Sequence, residues 1–89
     1  SLARYGLAME LIKAGRFEEA VAEFQALIAV QPDHAYAYFH AGQTLEKLGR
    51  PGEARRMYQN GADAAARKGD AHARSELETA LSLLPPESA

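Results

Sequence analysis

Cysteine and tryptophan are both absent from these 89 residues. Without cysteine there is no disulfide staple, no thiolate nucleophile and no sulfur ligand for a metal. Long apolar runs are missing too. The longest, Ala26 to Val30, is far shorter than the roughly 20 residues that a membrane helix needs. A net charge of -2 gives the chain as a whole no pull toward nucleic acid or an anionic membrane. No signal-peptide pattern opens the sequence as given. The expected location is therefore cytoplasmic, and neither a membrane nor nucleic acid is an expected partner. β-Branched residues are sparse, which removes the usual raw material of strands.

What the chain does have is alanine, leucine and glutamate, with 47% hydrophobic residues, a composition that folds and favours helix. Its length suits one domain with a thin core. Apolar residues at spacings of three and four mark five helices. The first runs from Leu2 to Ala14, with Leu2, Tyr5, Leu7, Ala8, Met9, Leu11 and Ile12 on its apolar side and Gly15 ending it. The second, Phe17 to Gln31, turns Ala20, Phe24, Leu27 and Ile28 inward and stops at Pro32. Asp33 is the expected N-cap of the third, His34 to Leu48, whose inner positions are Tyr38, Ala41, Gly42 and Leu45. The fourth opens on Pro51 and carries Ala54, Tyr58, Gly61, Ala62 and Ala65. Asp70 caps a fifth, with Ala73, Leu77, Ala80, Leu81 and Leu84 on one side and Arg74, Glu78 and Ser82 on the other.

The chain also repeats itself. A shift of 34 residues aligns Leu11 with Leu45, Lys13 with Lys47, Gly15 with Gly49, Arg16 with Arg50, Glu19 with Glu53, Ala20 with Ala54 and Gln25 with Gln59. Phe24 meets Tyr58 in the same register. A period of this length without strands means stacked helix-turn-helix units. Ala8 and Ala20 then belong where two helices cross closely, and Phe24 and Tyr58 fill the wedge between one hairpin and the next. The second copy has Ala66 where the first has Pro32, so the fourth helix is expected to continue to Lys68, where Gly69 stops it.

This pattern resembles the tetratricopeptide repeat. Unit one supplies Leu7-Ala8, Leu11, Ala20, Phe24 and Pro32 and has Arg4 where the family has a large residue. Unit two supplies Tyr38, Ala41-Gly42, Leu45, Ala54 and Tyr58 and lacks the closing proline. The resemblance implies an all-α solenoid of two helix-turn-helix repeats plus a capping helix. The expected domain is 1–84, with repeat one at 1–34, repeat two at 35–68 and the cap at 70–84. Residues 85–89 are expected to form a flexible tail.

The resemblance further implies a protein-interaction module, whose first helices line a concave groove that holds a peptide or a helix of a partner protein. Carried over position by position, the groove residues are Leu2, Tyr5, Met9, Ile12 and Lys13 from the first unit. Tyr36, Phe39, Gln43, Glu46 and Lys47 come from the second, with His40 and Arg74 near the edges. Some family members grip a C-terminal carboxylate with Lys, Asn and Arg. At those positions this chain has Tyr5, Met9, His40, Asp70 and Arg74. Only Arg74 suits an anion, so that ligand is not expected.

An enzyme is not expected, and neither is a cofactor or a metal. His34, His40 and His72 have no metal spacing on one helix face, and His72 with Glu76 reads as a surface pair at i, i+4. The alternative function is homodimer formation through the apolar face of the first helix, where Leu2, Tyr5, Met9 and Ile12 have no preceding hairpin to cover them.

Overall fold

The computed structural model describes residues 2–86, apart from the side chain of Leu2. Ser1 and the last three residues of the expected tail lie outside the described residues. Five α-helices follow one another: α1 Leu2–Lys13, α2 Phe17–Val30, α3 Ala35–Lys47, α4 Pro51–Lys68 and α5 Ala71–Leu83. Each helix packs on the next in sequence, and α3 also touches α5. The path is therefore a zigzag, with α1, α3 and α5 in one layer and α2 and α4 in the other. Among the described residues no helix is long and apolar enough to cross a membrane.

The turns are set locally. Gly15 and Gly49 adopt φ of 76° and 73°, a left-handed conformation that a side chain disfavours. Behind each, the next residue's N–H reaches back to close the helix: Arg16 N to Leu11 O at 2.9 Å, and Arg50 N to Leu45 O at 2.9 Å. Gly15 N to Ile12 O and Gly49 N to Glu46 O complete the same pair of bonds, which satisfies carbonyls that the helix ends leave open. Gly69 ends α4 in the same way, with Asp70 N donating to Ala65 O. With no proline to stop it early, α4 has 18 residues against 14 for α2.

The repeated Arg and Glu also do the same thing twice. Arg16 forks onto Glu19, and Arg50 forks onto Glu53. Each pair spans the first turn of the helix that follows. Each arginine holds its glutamate carboxyl below the ordinary range. Arg50 also reaches Glu18 of the first hairpin at 2.6 Å, so the second copy of the motif ties the two units together.

Two apolar clusters hold the stack. Ala8, Leu11, Ala20, Phe24, Leu27, Ala37 and Ala41 form the one between the first hairpin and α3. Val21, Tyr38, Leu45, Ala54, Tyr58 and Leu77 lead the other, which joins α3, α4 and α5. Ala20 and Ala54 are wholly buried, as helix crossings require. Val21, Thr44 and Ala64 are buried as well, although periodicity did not single them out. Thr44 is accommodated because its hydroxyl donates to His40 O at 2.7 Å.

Two expectations need correction. Leu7 is 49% exposed rather than inward-facing. Its counterpart one period on, Ala41, is fully buried because the first hairpin covers it. No described helix covers α1 in that way. The N-cap of α3 is His34 and not Asp33: His34 Nδ1 accepts from Ala37 N at 3.3 Å. Asp33 is turned aside by Arg67, whose Nε donates to it at 3.0 Å. The expected cap of α5 is present, with Asp70 accepting from Ala73 N at 3.0 Å.

Candidate functional site

A groove of about 400 Å³ runs between α3 and α5, within the size range of ligand-holding clefts. Phe39, Gln43 and Glu46 form one wall, one helical turn apart on α3. The opposite wall is α5, where His72, Glu76, Thr79 and Leu83 recur at helical spacing, with Ser75 and Ala80 beside them. Tyr58 of α4 forms part of the floor, and its ring lies where a side chain on Gly42 would otherwise stand, with Cδ1 2.7 Å from an idealised Cβ. The missing side chain at Gly42 thus admits the ring to the floor of the groove.

Phenols pin the two carboxylates of this groove. Tyr58 Oη donates to Glu46 Oε2. Burial, reinforced by that bond, pushes the Tyr58 phenol far above its ordinary pKa. Tyr36 Oη donates to Glu76 Oε1 at 2.6 Å and closes one end. The bond to the carboxylate, above all, pushes the Tyr36 phenol up to about 12. His72 Nε2 lies 3.1 Å from the same oxygen, so the surface pair expected from i, i+4 spacing shares its glutamate with a phenol from another helix. Leu83, 78% exposed, stands at the groove margin.

The structure brings some of the expected groove residues together and separates others. Phe39, Gln43 and Glu46 line the groove, and Tyr36 is bonded across it. His40 lies on the neighbouring α1–α3 face, where its ring contacts Tyr5, Phe24 and Phe39. Tyr5, Met9 and Ile12 are half-buried against the first cluster. Lys13 is paired with Glu10 at 3.2 Å. Lys47 sits over the Phe17 ring, 5.5 Å from its centroid. Arg74 is paired with Glu78 at 3.1 Å and lines a different cavity, beside the α4–α5 turn. Leu2's side chain lies outside the described residues.

The α5 wall was missed from the sequence, although its stripe at 72, 75, 76, 79, 80 and 83 has the period of a helix face. It lies directly beside the buried stripe and carries polar residues, so it reads as a wet side until α3 is placed opposite.

His34 and His40 give this face a pH dependence. Burial is the main reason that both imidazoles sit below their ordinary pKa. Lys68 adds to the effect at His34, and His34 adds to it at His40; Glu76 acts in the opposite sense on His40. The unfolded chain therefore binds more protons than the folded one as pH drops below about 6.5. Stability is expected to be level above that value and to decline from it down to the lowered folded pKa values. Protonation also removes the acceptor that caps α3. Urea unfolding at about pH 7.5 and about pH 5.5 should show the decline, and His34→Asn, which keeps a cap acceptor but does not titrate, should shrink it. A flat profile over that interval would mean that the imidazoles titrate freely.

The tetratricopeptide repeat profile matches residues 5–70. Two solved structures of a tetratricopeptide repeat domain protein from Salinibacter ruber are similar over 90% of this chain at 34% identity. The solution structure is covered to 81% with a TM-score of 0.85, and the crystal structure to 89% with a TM-score of 0.82. No curated protein sequence matches the chain.

Proposed function

Because this chain belongs to the tetratricopeptide repeat family, whose members generally mediate protein–protein interaction, we propose that it is a non-catalytic module that holds a peptide or helix of a partner protein in the α3–α5 groove. The observation that carries this reading is the groove itself. It is open, about 400 Å³ in volume, walled by Phe39 and Leu83 and studded with oriented polar groups. Apolar walls supply area for burial and the fixed polar groups supply register. From that groove the partner segment continues over the α1–α3 face, past His40, Tyr5, Met9 and Ile12.

Selection from a library of random 12-residue peptides tests this. Bound peptides should perturb the amide resonances of Gln43, Thr79 and Ala80. Gln43→Trp, at an exposed position, should block them by filling the groove, and should change melting by no more than the loss of the one side-chain hydrogen bond between Gln43 and His40. Perturbations confined to Gln25 and Asn60 on the opposite layer would refute the assignment.

A specific observation supports self-association as a second reading. Leu7 is exposed on α1, where its counterpart in the second unit is covered. Light scattering at micromolar concentration separates the two, because a strict monomer removes the dimer.

A further inference from the structure

Resting on that reading of the groove, we propose that its occupant is a protein segment carrying an arginine between apolar side chains, with the cation seated against Glu46 and Glu76. Charge complementarity selects this occupant. Both carboxylates line the groove, and among the described residues its only basic neighbour is His72, with no lysine or arginine in the lining. Cations elsewhere are turned to other work: Lys47 lies over Phe17 and Arg74 pairs with Glu78. Each groove carboxylate is held by a phenol from a neighbouring helix, Tyr58 for Glu46 and Tyr36 for Glu76. A phenol occupies only part of a carboxylate's acceptor capacity, which is about four lone-pair sites. The groove therefore presents two oriented anions with room for a donor: beside the phenols, His72 Nε2 lies 3.1 Å from Glu76 Oε1, which leaves the second oxygen of Glu76 and the first of Glu46 to an incoming cation.

Arginine fits better than lysine. Its planar guanidinium forks onto a carboxylate and stacks on an aromatic face, and Phe39 lies on the same wall as Glu46. The exposed Leu83 side chain, together with Ala80, offers apolar surface to the residues flanking the cation. An acidic segment would meet like charge here, in keeping with Tyr5, Met9, His40 and Asp70 standing at the positions where a carboxylate-gripping set would be.

The same random peptide library reads this out. Binders recovered on the unmodified chain should carry arginine in excess over glutamate. Their affinity should fall about tenfold between about 50 mM and about 500 mM salt. Glu46→Gln with Glu76→Gln should weaken them about tenfold. If that pair of changes lowers melting, Thr79→Lys at the exposed groove wall gives the same reading, weakening arginine peptides and favouring glutamate ones. Binders that Gln43→Trp blocks but that show no charge preference would overturn this inference and leave the groove assignment standing. Binders indifferent to Gln43→Trp, or no binders at all, would overturn both. A stable dimer broken by Gln43→Trp would make the occupant a second copy and overturn the arginine assignment.

Discussion

Phe24→Ala is expected to lower the unfolding free energy by about 3–5 kcal/mol, which is a large share of the roughly 5–15 kcal/mol that holds a typical domain together. The ring is wholly buried, between the first hairpin and α3. Tyr5 meets it edge-on at 6.1 Å, and the His40 ring stacks at 6.1 Å. The same cluster holds Ala8, Ala20, Ala37 and Ala41, with Leu11 and Leu27. Alanines bring the backbones close, and they have no longer side chain to swing into a void. Whatever part of the cavity Leu11 and Leu27 do not fill stays open, so the cost lies in lost contacts as well as lost transfer free energy. Leu7→Ala is the natural comparison. It removes a large apolar side chain from the same hairpin at a half-exposed position, and should change stability by no more than about 0.5 kcal/mol. Urea unfolding of the two variants measures the difference. If Phe24→Ala unfolds like Leu7→Ala, the first cluster does not hold α1 and α2 to α3.

Gly61→Ala and Gly52→Ala make the same chemical change in α4 and should have opposite signs. An idealised Cβ on Gly61 would stand 2.6 Å from Tyr38 Cβ and 2.8 Å from Leu77 Cδ2. The leucine tip can rotate, but Tyr38 Cβ is fixed to the α3 backbone, so the helices must part. We expect a net loss of about 1–3 kcal/mol, in spite of alanine's higher helix propensity. Gly52 has nothing within 4 Å of such a Cβ. There the propensity gain acts alone and should stabilise by about 0.5–1 kcal/mol. The gap between the two variants, about 1.5–4 kcal/mol, is readable by thermal or chemical unfolding. Equal effects would show that α3 and α4 do not approach as closely at Gly61 as described.

Features of this chain that rest on a few consecutive residues could be read from the order of those residues. Gly15, Gly49 and Gly69 stop helices because a left-handed φ is a property of the glycine itself. The 34-residue period, with small residues at Ala20 and Ala54 and rings at Phe24 and Tyr58, dictated stacked helical hairpins, because stacking buries both copies of these four positions. The length of α4 followed from one missing proline.

Contacts between distant residues decided the rest. His34 and not Asp33 caps α3, while the Asp33 carboxylate is bonded to Arg67, 34 residues away, a partner that local sequence does not reveal. Leu7 and Ala41 hold equivalent places in the period, yet only Ala41 is buried, since burial depends on what lies against a helix face and not on the face alone. The groove is of the same kind. Glu46 and Glu76 belong to one site only once α4 has folded α5 back beside α3. Charge along a helix can be counted before folding, whereas which charges share a cavity is set by packing.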